Sequence, residues 1–228
     1  MPNNTPKNNL LAQALGKFAL GVVLVSLLII LPAGSFSYWQ GWLLIGILFT
    51  PMFVAGIVML LRAPNLLQSR LDAREADGAQ RKVVAASGLM FIAGFVLAGL
   101  GHRFGWPMFP WWASVIGTVA FLCAYALYAE VLREHAYLSR TIGVQEGQHL
   151  VDTGLYSLVR HPMYSATLIL FLAIPFVLGS PFTALVFLLY VPIIITRIKH
   201  EERVLIHVLA GYEEYRTRVR WRLTPGIW

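Results

Sequence analysis

Uncharged stretches set the rhythm of this chain. Residues Phe18 to Leu61 carry no charge and are broken only by Leu31-Pro32-Ala33-Gly34-Ser35, which predicts two membrane-length helices with a turn between them. Further uncharged runs cover Val83 to Gly101 and Trp111 to Ala129, and then a 35-residue stretch extends from Pro162 to Thr196. That last stretch is divided by Leu178-Gly179-Ser180-Pro181, so it reads as a helical hairpin. Its second limb, Phe182 to Thr196, has 15 uncharged residues. At about 1.5 Å per residue this limb covers roughly 22 Å, less than a hydrocarbon core of about 30 Å. Arg197 is therefore expected at the membrane boundary or in a cavity. The pattern predicts an all-α polytopic bundle of about six spans, with five if one segment is re-entrant.

Polar segments divide the chain further. Residues 1–132 read as an N-terminal transmembrane scaffold and residues 133–228 as a region carrying the chemistry. The connection from Arg62 to Lys82 holds Pro64-Asn65-Leu66-Leu67, which fits either a short interfacial helix or a loop that sets topology. The segment from Arg133 to His161 is long for a connection in a compact membrane protein, and loops of this length tend to be functional. After the hairpin, a helix over residues 199–210 is expected to stop at Gly211. Ala33-Gly34-Ser35 has the small residues of a signal-peptide cleavage site, but the long apolar run and the even number of spans favour a retained helix.

Charge adds an orientation to this pattern. Of 18 Lys and Arg residues, 17 fall on one face of the six-span arrangement and only Arg103 on the other. By the positive-inside rule the crowded face is cytoplasmic and holds both termini, in a plasma or bacterial inner membrane. Trp39, Trp42, Trp106, Trp111 and Trp112 suit the opposite aromatic belt. With 57% hydrophobic and 13% charged residues the chain is too apolar for an ordinary soluble domain. Its net charge of +7 is explained by topology, so nucleic-acid binding is not indicated. The single cysteine, Cys123, excludes an intramolecular disulfide and a thiolate metal cluster. A zinc reading of His200-Glu201-Glu202-Arg203-Val204 fails because position 204 is not histidine, and no phosphate loop or dinucleotide fingerprint is present.

The candidate chemistry gathers at the two feet of the hairpin. Pro162 begins a helix whose free N–H groups and positive dipole end lie beside Arg160 and His161, an arrangement suited to an anion. On the returning limb Arg197 and Glu201 stand i to i+4, with His200 and Glu202 adjacent. An exposed ion pair of that kind contributes only about 0.3 to 0.5 kcal/mol, so stability gives little reason for it. Arg197 can hold a carboxylate through two parallel hydrogen bonds, whereas Glu201 can accept from hydroxyls or amines. An amine substrate would need a base, for which Glu201 or Glu202 is available. Read separately, these residues could equally be a snorkelling anchor, a helix cap and interface aromatics.

Taken in order, Gln145-x-x-x-His149-Leu150-Val151-x-x-Gly154-x-Tyr156, then Arg160-His161-Pro162-x-Tyr164, then Arg197-x-x-x-Glu201-Glu202-x-x-Leu205, then Gly211-Tyr212-x-x-Tyr215, form a four-part signature. It resembles that of the isoprenylcysteine carboxyl methyltransferase and phospholipid methyltransferase superfamily, over about residues 145–228. The resemblance implies S-adenosylmethionine held by Gln145, His149, Leu150, Val151, Tyr156, His161, Pro162, Tyr164 and Glu201, with Gln148 as a substitute for Gln145. It also implies that Arg197 faces a lipid or lipidated substrate, small molecule or protein, and makes Arg197, Glu201 and Glu202 the catalytic candidates. Two departures stand out: Ala166, where many relatives have glycine, and Val219-Arg220-Trp221-Arg222 in place of a Val-Pro pair. The leading expectation is methyl transfer to a membrane-embedded carboxylate such as a prenylcysteine-like compound. Phospholipid amine N-methylation is the near alternative. An NADPH-dependent sterol reductase and a non-enzymatic membrane carrier are more distant ones.

Overall fold

The computed structural model describes residues 7–72, 78–134 and 150–228, and among these every regular element is helical. Among the described residues, five helical segments are long and apolar enough to cross a membrane: Asn9–Ala33, Trp39–Arg62, Arg81–Arg103, Trp111–Glu134 and Pro181–Val208. The bundle is thus a polytopic membrane fold, in agreement with the uncharged runs. Helices α1 (Lys7–Ala33) and α2 (Trp39–Arg62) are followed by the short α3 (Pro64–Asp72), then α4 (Gly78–Arg103) and α5 (Trp111–Glu134). After a single 3-10 turn at Gly154–Ser157 come α6 (Pro162–Val177), α7 (Pro181–Phe187), α8 (Tyr190–Val208) and α9 (Tyr212–Arg218).

The hairpin is present but its limbs are unequal. Its first limb, α6, is apolar and 16 residues long, about 24 Å at 1.5 Å per residue and shorter than a full span. Its second limb does not end where the charges begin. Helix α8 runs unbroken from the apolar Tyr190 through Arg197, Glu201 and Glu202 to Val208, so the separate helix expected over residues 199–210 is instead the continuation of the span. The physical reason is local: no Gly or Pro lies between Ile193 and Leu209, and the charged residues there are good helix formers. Similarly, residues 64–72 form a helix rather than a plain loop, with Leu67 buried.

Packing fixes which ends of the helices meet. The most extensive helix packing is α6 on α5, followed by α1 on α4 and then α4 on α7. At Gly117 a Cβ would approach the backbone N of Val177 to 2.8 Å, so the α5–α6 contact depends on a missing side chain. One end of the bundle collects the α1–α2 turn, the 104–110 connection and the α6–α7 turn. There the buried Tyr38 hydroxyl donates to Leu178 O at 2.6 Å and Phe109 N donates to Gly179 O at 2.8 Å. Trp106 meets Phe182 edge to face at 5.2 Å, and Ser180 caps α7 by accepting from Thr183 N at 3.3 Å. The feet of α6 and the charged half of α8 are thereby placed at the opposite end. At that opposite end Lys17 donates to Leu71 O, and Arg70 donates to the Tyr128 hydroxyl at 3.0 Å. Leu20, Val23, Leu24 and Leu27 of α1, with Val115, Ile116 and Val119 of α5, expose apolar bands suited to lipid.

Candidate active site

Sequence and fold meet where α6 begins. Pro162 occupies the first helical position, and His161 precedes it with non-helical torsions. This sharp entry turns the Arg160 and His161 backbones outward to the C-terminal tail. Arg160 N donates to Trp221 O and His161 N to Arg222 O, both at 2.9 Å. The tail is itself closed by Arg222 N and Leu223 N donating to Trp228 O at 2.8 and 3.0 Å, and Ser165 Oγ donates to Leu223 O at 2.6 Å. Leu223 and Trp228 pack on the same apolar core as Tyr164 and Ile198. The departure from a Val-Pro ending therefore still yields a tail folded over the helix start.

Two adjacent glutamates of α8 serve different partners. Glu202 is 4% exposed and is surrounded by donors: Arg160 Nε lies 2.7 Å from Oε1, Arg222 Nε 2.8 Å from Oε2, and His161 Nε2 3.4 Å from Oε1. Arg160 also donates through one terminal nitrogen to Val219 O at 2.6 Å and Arg220 O at 2.9 Å. One carboxylate thus joins α8, the start of α6 and the tail. A buried charge is tolerable only when paired and fully hydrogen-bonded, and here both oxygens have charged donors.

Glu201 points to Tyr164 instead. The Tyr164 hydroxyl, on a side chain buried at 6% exposure, donates to Glu201 Oε2 at 2.5 Å and accepts from Arg197 Nε at 2.9 Å. Its ring lies 5.9 Å from the Arg197 guanidinium carbon and stacks with His161 at 5.6 Å and 28°. Arg197, Tyr164 and Glu201 are therefore a relay in which a neutral hydroxyl bridges a cation and an anion across two helices. His161 connects the relay to the Glu202 cluster, using its ring face for Tyr164 and its nitrogen for Glu202.

The approach from residue 150 is built on a tight turn. Gly154 has φ +55°, and a Cβ there would fall 1.7 Å from Glu134 Oε1, so both conformation and space require glycine. Glu134 accepts from Leu155 N at 2.9 Å, which ties the end of α5 to the turn carrying Tyr156. Tyr215 holds the turn from the other side by donating to Tyr156 O at 2.7 Å, and Arg218 pairs with Asp152 at 2.5 Å. Leu150 packs with Leu209, Tyr212, Tyr215 and Val219 in a small second core. Burial holds the phenols of Tyr156, Tyr212 and Tyr215 above their usual range, with Glu201 adding to the effect at Tyr156 and Glu202 at Tyr212, so these groups stay neutral donors. The Tyr212 hydroxyl is buried and has no hydrogen-bond partner among the described residues.

Of the residues singled out from the sequence, Leu150, Val151, Tyr156, His161, Pro162, Tyr164, Arg197, Glu201 and Glu202 lie on segments that converge at this end of the bundle. Gln145, Gln148 and His149 lie outside the described residues. Sequence reading did not assign Arg160 and Arg222 as the partners of Glu202. The pairing spans 42 residues on one side and 20 on the other, and its signal was only the neighbourhood of Arg160 to the signature histidine.

Residues 115–207 match the model of the isoprenylcysteine carboxyl methyltransferase family. The matched segment runs from α5 through nearly all of α8 and includes His161, Tyr164, Arg197, Glu201 and Glu202, but stops before α9 and the tail. No curated protein matches the chain. The match bears out the resemblance carried by the four-part signature and supports a membrane methyltransferase.

Proposed function

With a family segment that includes both feet of the hairpin, we propose that the protein transfers a methyl group from S-adenosylmethionine to a lipidic carboxylate of the prenylcysteine kind. The Arg197–Tyr164–Glu201 relay is the observation that carries this reading. It places a guanidinium, suited to a planar carboxylate, next to a carboxylate suited to amines and hydroxyls.

The residues present fit the cofactor. Its amino group or ribose hydroxyls need an acceptor such as Glu201, and its apolar and aromatic parts need surfaces such as Leu150, Val151, Tyr156 and His161. The buried hydroxyl of Tyr212, unpartnered among the described residues and influenced electrostatically by Glu202, Arg160 and Glu201, is a polar atom that a ligand could satisfy. His149, Pro162, Tyr164 and either Gln145 or Gln148 complete the proposed cradle. When bound, S-adenosylmethionine supplies an electrophilic methyl group that passes to an acceptor oxygen as a neutral thioether departs.

The chain's own part is alignment and exclusion of water. Arg197 orients the acceptor carboxylate, which is already ionised at neutral pH and needs no base. Tyr164 fixes Arg197, and Glu201 fixes Tyr164. Charge is neutralised in such a transfer, so a dry apolar site favours it, and alignment of the reacting atoms accounts for most of the rate. Glu202 acts through position: with both oxygens taken by arginines, it holds the tail over the start of α6. We place this end of the bundle, and both chain termini, on the cytoplasmic face, as the distribution of basic residues favours.

Methyl transfer to matched carboxyl and amine lipids at pH 6 and pH 9 tests the assignment. The expected outcome is transfer to the carboxyl lipid that persists at pH 6. Transfer restricted to the deprotonated amine at high pH would overturn the carboxylate reading and assign Glu201 the role of base.

A further inference from the structure

Helix α8 has a second charged face. Around its axis, Arg197 and Glu201 share one side, whereas Lys199, Arg203 and Ile206 project roughly opposite, at the 100° per residue of an α-helix. On that opposite side lies a cleft of about 390 Å³ lined by Lys199, Glu202, Arg203, Ile206, Arg216 and Arg222. None of Tyr156, His161, Tyr164, Arg197 or Glu201 borders it, so it is separate from the relay.

Four cationic side chains and one carboxylate leave the cleft with a formal surplus of three positive charges. The carboxylate, Glu202, is already shared by Arg160 and Arg222. Little else offsets the rest. Among the described residues, Arg216 reaches only the exposed Glu213 at 3.6 Å, Arg203 donates through Nε to its own helix at Lys199 O, and the Lys199 ammonium has no partner. Gathering like charges in one concavity is unfavourable unless an anion is to be held there. The donor set, one ammonium with three planar guanidinium groups, matches a tetrahedral phosphoryl group with several acceptor oxygens.

The surroundings indicate where that group comes from. The cleft lies on the continuation of a membrane-spanning helix, with Ile206 in its wall and the exposed Val208 and Trp221 on the same helix and tail. Apolar and aromatic side chains next to a cationic cluster at the end of a span suit the headgroup layer. We propose that this cleft binds the phosphoryl headgroup of an anionic membrane lipid, which thereby bridges α8, α9 through Arg216 and the tail through Arg222.

The test is the unfolding temperature of the detergent-purified protein titrated with short-chain phosphatidylglycerol, short-chain phosphatidylcholine or inorganic phosphate, at constant ionic strength. Phosphatidylglycerol is expected to stabilise saturably and phosphatidylcholine not to. Lys199→Gln with Arg203→Gln should weaken the phosphatidylglycerol effect roughly thirtyfold, since each basic residue near a lipid surface contributes a factor of about five. Both side chains are exposed, so the double variant should fold, and Arg203→Lys should restore most of the binding. Arg81→Gln with Lys82→Gln, an exposed basic pair elsewhere, is expected to leave the titration unchanged. Equal weakening by both double variants would overturn the site in favour of general electrostatics, as would wild-type behaviour of the Lys199/Arg203 variant. If inorganic phosphate reproduced the effect and the same variant abolished it, the lipid source would be overturned and a soluble phosphate site would stand in its place. The readout is lipid binding, so its result is independent of methyl transfer.

Discussion

Tyr164 is the atom-level hinge of the proposed chemistry, because a single hydroxyl satisfies both a cation and an anion. Removing it by Tyr164→Phe retains the buried ring, its stacking on His161 and its place in the core, but leaves Arg197 and Glu201 without their bridge. Hydrogen bonds to charged groups contribute about 1.5 to 3 kcal/mol, so kcat/KM for a carboxyl lipid should drop roughly ten- to a hundredfold. Steady-state kinetics on variant protein shown to remain folded is the check. Full activity in the variant would mean that Arg197 does not need Tyr164 to hold its orientation. The two adjacent glutamates show how much side-chain direction matters at this scale. They are neighbours in sequence, yet about 100° apart on the helix, so one meets Tyr164 and the other meets two arginines.

At the scale of elements, Glu202 is the bolt between α8, the start of α6 and the tail. Glu202→Ala would leave the buried Arg160 without a counter-charge, and breaking a buried pair in this way costs about 3 to 5 kcal/mol. Its unfolding temperature should fall and its tail should become sensitive to trypsin. Arg222→Ala should have a smaller effect, because the Arg222 side chain is 31% exposed against 4% for Arg160. Equal sensitivity of the two variants would contradict the bolt. The spans, the hairpin turn at residues 178–181 and the start of α6 at Pro162 were legible in the sequence, since each is written in local composition and in proline and glycine placement. The length of α8 was not, because a change from apolar to charged residues marks a change of surroundings rather than the end of a helix. The Arg160–Glu202–Arg222 cluster was hidden for another reason: it unites three segments far apart in the chain, and only the tail's backbone pairing with residues 160 and 161 brings Arg222 within reach.

For the whole molecule, the division of labour is between ends. One end is closed by aromatic and backbone contacts among three turns, and the other gathers the relay, the Glu202 cluster and the basic cleft. Exposed apolar bands on α1 and α5 suit the scaffold to lipid, which is the setting the proposed membrane-borne acceptor requires. The central claim is that this end binds S-adenosylmethionine without a soluble nucleotide-binding domain. Calorimetry of S-adenosylhomocysteine binding to the purified protein tests it most directly, with NADPH as the comparison ligand and Glu201→Ala as the site control. Saturable binding of S-adenosylhomocysteine, lost in Glu201→Ala and absent for NADPH, is the predicted result. Folded protein that binds NADPH and leaves S-adenosylhomocysteine unbound would contradict it.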